Sequence, residues 1–254
     1  MNQNHNPIDA AVVVLAAGRG TRMKSDLPKV ATELLGKPLL QHVLENLRAA
    51  GLRRFCIVVG YKREIVEALV PDWPDCKIEF AVQTEQLGTA HALACARPDL
   101  ADFCGPLLVA SGDMPALSPA SFRALLDQHN QEGNSSTVLT AHLNDPTGYG
   151  RVVRDPGTHQ VLRIVEHKDA DAEMHRIQEV NTGTYVFTSP AIFEDLKAIG
   201  SQNAQNEYYL PDIIALHNQK QLHCGAMMLA NATEAHGINS TEELERLAAV
   251  LQAS

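Results

Sequence analysis

The chain has 254 residues, 45% of them hydrophobic, enough to build one large α/β domain or a main domain with a small lobe. A formal net charge of −9 argues against nucleic acid as the main partner but permits a local basic pocket. No run of 18 apolar residues is present to cross a membrane, and the polar start Met-Asn-Gln-Asn-His-Asn-Pro lacks the basic region of a signal peptide. Five cysteines without a Cys-x-x-Cys pair suit reduced thiols in a cytoplasmic protein. Eleven histidines are dispersed without a His-x-x-x-His pair, so they carry no metal-ligand pattern.

A short β-branched run, Ala11 to Val14, reads as a buried strand. Pro38 to Ala50 places Leu40, Val43, Leu44 and Leu47 on one helix face, and Gly51 stops it. Strands follow at Phe55–Val59, Ile78–Gln83 and Pro106–Ala110. Helices alternate with them at Lys62–Val70, Thr89–Ala96 and Ser118–His129, the last starting at a Ser-Pro cap. This βαβ rhythm predicts a Rossmann-like α/β fold, a mostly parallel sheet with helices on both faces. Beyond residue 136 the links shorten between strand-like segments at 136–143, 151–154, 161–167 and 180–188. The change predicts a small antiparallel extension, a lobe over about 136–188. Helices return at 189–198 and 211–218, and a strand at 222–229. The division expected is a main domain over 1–239 and a C-terminal helix over 240–254. There Ser240 and Glu243 form a capping box, and Leu244, Leu247, Ala248 and Leu251 form one stripe. That stripe could pack on its own domain or on another chain.

The most informative stretch is 15–29, Leu-Ala-Ala-Gly-Arg-Gly-Thr-Arg-Met-Lys-Ser-Asp-Leu-Pro-Lys, directly after the first strand. Its glycines let the backbone approach a ligand, and its bare N–H groups with Arg22, Lys24 and Lys29 favour a polyphosphate. It is neither a dinucleotide fingerprint, because Met23 fills the third glycine slot, nor a P-loop, because no Gly-Lys-Ser/Thr follows. Pro28 restricts the approach to Lys29, as befits a positioned cation. Asp113, at the end of a predicted strand, is the leading acidic candidate. A hard carboxylate there suits Mg²⁺, though a turn aspartate before Pro115 is the plain alternative.

Together with later segments, the loop resembles the signature of the sugar-nucleotide pyrophosphorylases. Those segments are Gln-Thr-Glu-Gln-Leu-Gly-Thr-Ala-His at 83–91, Asp-Pro-Thr-Gly-Tyr-Gly-Arg at 145–151 and Ile-Val-Glu-His-Lys-Asp-Ala at 164–170. Two more are Gln-Glu-Val-Asn-Thr-Gly at 178–183 and Asn-Glu-Tyr-Tyr-Leu-Pro-Asp-Ile-Ile at 206–214. The likeness runs from about residue 11 to 240 and is strongest to the uridyltransferase half of the bifunctional bacterial enzymes that make UDP-N-acetylglucosamine. The hexapeptide repeats of their acetyltransferase half are not found here, so that activity is expected to be absent.

The resemblance implies that UMP passes from UTP to N-acetylglucosamine 1-phosphate, releasing pyrophosphate. Arg22 and Lys29 are then the catalytic cations. Leu15, Ala16, Ala17, Gly18, Gln83, Gly88 and Thr89 bind the nucleotide, with Gln83 and the 88–89 backbone reading uracil. Gly150, Glu166 and Asn181 hold the sugar, and Asp113 with Asn239 holds Mg²⁺. Asn239 could otherwise be a helix cap. The expected partners are UTP and a sugar 1-phosphate, with neither nucleic acid nor membrane, and the oligomeric state stays open. One departure is Ser111, where relatives often place an aromatic residue beside the sugar pocket. Another hexose 1-phosphate or nucleotide is therefore an alternative, as is a non-catalytic nucleotide-sensing subunit. The joint presence of Arg22, Lys29, Asp113, Glu166 and Asn239 disfavours the sensor.

Overall fold

The computed structural model describes residues 8–20, 26–238 and 240–252. Its first strand, β1 (Ala11–Leu15), is apolar throughout because both of its faces are covered. Val12 and Val14 point into one core with Leu40, Leu44 and Phe122. Ala11 and Val13 point into the opposite core with Leu93 and Ile213. A two-strand hairpin follows, β2 (Glu33–Leu34) and β3 (Lys37–Pro38). Next come α1 (Leu39–Ala49), β4 (Arg54–Val59), α2 (Arg63–Ala68), β5 (Lys77–Val82), α3 (Thr89–Cys95) and β6 (Gly105–Ser111). Then α4 (Pro119–Glu132) starts where the Ser118 hydroxyl accepts the Ser121 amide at 3.2 Å, the cap expected from Ser-Pro.

The second half contributes β7 (Ser136–His142), β8 (Arg151–Arg154), β9 (Val161–Val165), β10 (Glu179–Ser189), α5 (Ala191–Asp195), α6 (Asp212–Gln219), β11 (Cys224–Met228) and α7 (Thr241–Gln252). The central sheet has the order β11-β7-β10-β6-β1-β4-β5. β1, β4, β5 and β6 are mutually parallel, β11 is parallel to β7, and β10 runs against both of its neighbours. The antiparallel extension is narrower than the rhythm of the sequence suggests. β7 and most of β10 complete the main sheet, and only the β8–β9 hairpin leaves it, pairing β8 to the start of β10 through Val180 and Arg151.

α7 settles on its own domain. Leu247 is buried with Leu34, Leu39 and Ile238, while Leu244 and Ala248 pack against that group and Leu251 stays exposed. The Glu243 amide donates to the Ser240 hydroxyl at 3.2 Å, the half of the capping box that closes the helix start.

Candidate active site

Parallel strands bring their carboxyl ends to one edge, and open α/β sheets bind ligands there. The loops after β1, β5 and β6 therefore converge. They are pinned by hydrogen bonds to the backbone: the Gly112 N–H donates to the Leu15 carbonyl at 3.0 Å, and the Gln86 side-chain Nε2 to the Ala17 carbonyl at 2.6 Å. A cavity of about 250 Å³ opens between them, lined by Leu15, Ala17, Gly18, Lys29, Gln83, Gly88, Thr89 and Asp113. Ala16 lies behind this wall, buried, with its amide donating to the Val58 carbonyl at 2.9 Å. A Cβ on Gly18 would meet nothing within 4 Å, so there is room before the loop for a ligand. Gly20 differs. Its φ is +69°, and a Cβ there would lie 2.6 Å from the Lys29 Cβ, so the loop can press on Lys29 only because this residue is glycine.

A second cavity of about 450 Å³ adjoins the first and shares Leu15, Thr89, Ser111 and Asp113 with it. Its far wall carries Glu166, Asn181, Tyr149 and Tyr185. Gly150 supports this wall from behind, since a Cβ there would stand 3.1 Å from the Glu166 Oε1. Asn181 is held by its Oδ1, which accepts the Gly183 amide at 3.0 Å.

Lys29 and Asp113 form an ion pair where the two cavities meet, and the Ser111 hydroxyl donates to the Asp113 Oδ1 at 2.6 Å. Burial alone would push the Asp113 carboxyl up, but the Lys29 ammonium and the Ser111 hydroxyl hold it below the ordinary carboxylate range. Glu166 goes the other way. Burial and the nearby charges of Asp212, Asp169 and Glu207 push it to about 7, against the opposing pull of Arg151. Arg151 is itself fully buried and bonded to the Tyr149 carbonyl.

Arg22 and Asn239 lie outside the described residues. Ile238, next to Asn239 in sequence, donates its amide to the Asp113 carbonyl at 3.1 Å. Among the described residues no group of three His, Cys, Asp or Glu side chains is spaced to cage a metal. One hard carboxylate beside a ligand cavity nonetheless suits Mg²⁺, which draws most of its ligands from phosphates and water.

Sequence reasoning passed over several lining groups. Gln86, Thr147 and Tyr149 stood inside quoted motifs, and their position there was the available signal. Glu243 reaches the second cavity from α7, and Glu207 reaches the first from the segment before α6. Glu207 also stood inside a quoted motif, whereas the only signal at Glu243 was its place in the capping box.

This geometry, two adjoining cavities at the carboxyl edge with a cation and a carboxylate at their junction, fits an enzyme that joins a nucleotide to a second phosphorylated ligand. The chain belongs to the nucleotidyl transferase family, whose model matches residues 11–232. It is 43% identical over 244 residues to the bifunctional protein GlmU of Syntrophotalea carbinolica, covering 96% of this chain and 52% of that protein. It is also 43% identical over 240 residues to GlmU of Shouchella clausii, covering 94% and 52%. The chain thus spans about half the length of the curated relatives it matches. Among solved structures, a UDP-glucose pyrophosphorylase complexed with UDP-glucose has the same fold, with a TM-score of 0.76 at 18% identity over 96% of this chain and 98% of that one. No helix among the described residues is long and apolar enough to cross a membrane.

Proposed function

We propose that the chain transfers UMP from UTP to N-acetylglucosamine 1-phosphate, forming UDP-N-acetylglucosamine and pyrophosphate. The observation that carries this reading is the Lys29–Asp113 pair at the junction of two cavities, one edged by Gln83 and Gly88, the other by Glu166 and Asn181. Uracil lies against Gln83 and the 88–89 backbone, the triphosphate against the 15–18 turn, and the sugar between Glu166 and Asn181. An ionised Glu166 accepts only, which suits two adjacent hydroxyls.

The sugar phosphate oxygen attacks the α-phosphorus, the bond to the β-phosphate breaks, and pyrophosphate leaves in line. The nucleophile is already an anion, so no general base is needed. The barrier lies in bringing two anions together, and positioning with charge neutralisation supplies most of the acceleration. Lys29, with Arg22, neutralises the crowded oxygens. Asp113 and Asn239 would hold Mg²⁺, which when bound offsets phosphate charge. The partners are UTP and the sugar phosphate, acting in the cytoplasm.

A second reading broadens the sugar. Ser111 puts a short side chain, already donating to Asp113, at the boundary of the sugar cavity, and the similar fold with UDP-glucose bound is consistent with a looser pocket. Pyrophosphate release measured across UTP, CTP and GTP with N-acetylglucosamine, glucose and other hexose 1-phosphates separates these readings. Absence of turnover with every pair would refute both.

A further inference from the structure

His91 lines none of the cavities described above, yet it touches the side chain that edges the nucleotide cavity. It is the third residue of α3, and its Nδ1 lies 3.1 Å from the Gln83 Nε2. The same Nε2 lies 3.1 Å from the Gly88 carbonyl. We propose that His91 is a positioning residue that locks the Gln83 amide with only its oxygen outward, and that this lock makes the site select uracil over cytosine. The inference rests on the reading of Gln83 as a base contact.

Donor and acceptor logic fixes the arrangement. A backbone carbonyl can only accept, so the group of Gln83 facing Gly88 is the NH₂. Its second hydrogen points at the His91 Nδ1, which must accept it. The imidazole proton then sits on Nε2, toward the Cys95 sulfur 4.0 Å away. Both hydrogens of the amide are thus spent inside the protein. The Gln83 Oε1 takes no hydrogen bond from any described residue, and Gln83, at 5% exposure, has little freedom to turn. The Gly88 carbonyl is itself anchored. It accepts the Ala92 amide at 3.1 Å, and its φ of +110° with the Tyr208 backbone close by keeps the peptide where it is.

Uracil carries a hydrogen on N3, whereas cytosine carries a lone pair there. An outward group that can only accept pairs with the first and opposes the second. Leaving such a pair unmade lowers kcat/KM by about 10- to 100-fold. Without the Nδ1 acceptor only the Gly88 carbonyl still holds the NH₂, so one bond instead of two opposes a turn of the amide that presents a donor to the cytosine N3.

The test measures kcat/KM for UTP and for CTP, with one sugar phosphate, in wild type, His91→Leu, His91→Asn, His91→Gln and Gln83→Ala. His91→Leu should lower the UTP-to-CTP ratio about tenfold and leave the KM for the sugar phosphate unchanged. His91→Asn should restore the ratio, because its Oδ1 falls where Nδ1 was. His91→Gln should not, because its polar atoms fall nearer the Nε2 position. Should His91→Leu fail to fold, the contrast between Asn and Gln still decides. A lowered ratio in Gln83→Ala with an unchanged ratio in His91→Leu and His91→Gln overturns the lock and leaves Gln83 as the base contact. An unchanged ratio in Gln83→Ala removes the base contact and the lock with it.

Discussion

Glu166 supplies the sharpest test of how the sugar side works. Its carboxyl stands at about 7, raised first by burial and then by Asp212, Asp169 and Glu207. Sugar hydroxyls need its ionised form. With that value, about one tenth of the free enzyme has the carboxylate at pH 6 and about nine tenths at pH 8. At saturating UTP, kcat/KM for the sugar phosphate should therefore rise about tenfold across that range, with an apparent midpoint near Glu166's own. The sugar phosphate also ionises, so the control is Glu166→Gln, which keeps an acceptor but cannot titrate. Its profile should lose the step centred near 7 and keep only the substrate's. Stability gives an independent arm. A carboxyl whose folded-state pKa is raised contributes stability below its unfolded pKa, and that contribution is lost as pH rises through the folded value. Glu166→Gln should then raise the melting temperature of the ligand-free protein more at pH 8 than at pH 5. A variant profile that retains the full step, with no pH-dependent gain in melting temperature, would refute the assignment.

Lys29→Ala should lower kcat/KM by about 10²-fold, about 3 kcal/mol, as measured by pyrophosphate release, and a folded variant with near-normal turnover would exclude its role. Chelation should abolish activity and Mg²⁺ restore it, with Asp113→Asn blunting the metal dependence in the same assay. Gly88→Ala places a Cβ 2.6 Å from the Tyr208 carbonyl at a φ of +110°. It should cost about 1–3 kcal/mol in denaturant melts and raise the KM for UTP more than for the sugar phosphate. Because Ser111 is small, glucose 1-phosphate should be turned over at a measurable rate, and strict rejection in a steady-state assay would limit the pocket to the N-acetylated sugar.

The strands β1, β4 and β6 were legible because each is a short, largely apolar run, β5 because Ile78, Phe80 and Val82 alternate with other residues, and α4 because Ser118 caps it. The β2–β3 hairpin was not. Two-residue strands have no periodicity, and its turn puts Leu35 at a φ of 53°, which no turn rule expects of leucine. Alternation showed that β7 and β10 are strands but not which strands they pair with. The lobe therefore looked larger than the β8–β9 hairpin that forms it. The helix expected over 189–198 divides at Asp195, where a 3-10 turn takes over. Within the cleft, Lys29, Gln83, Gly88, Thr89, Asp113, Glu166 and Asn181 stood in recognisable motifs and meet in space. The acidic surroundings of Glu166 were only partly legible: Asp169 stands in its own motif, but Glu207 and Asp212 approach from the 206–214 segment, which is distant in sequence. His91 lay in a quoted motif without a role, since its partner Gln83 sits on a different element eight residues away.

The place of β10 between β6 and β7 dictates an order of assembly. A ribosome delivers β6 and β7 first; β6 can pair with β1 on one side, but its other edge and β7 have no partner until residues 179–189 emerge. Until then Leu107, Leu108 and Val109 present a bare apolar edge that Tyr185, Val186 and Phe187 will later cover. Such an unpaired edge is a template for sticking to other nascent chains. A polypeptide released near residue 135 would carry this exposed edge permanently. Productive folding is thus gated by the arrival of a single late strand that closes the gap between the two halves of the sheet.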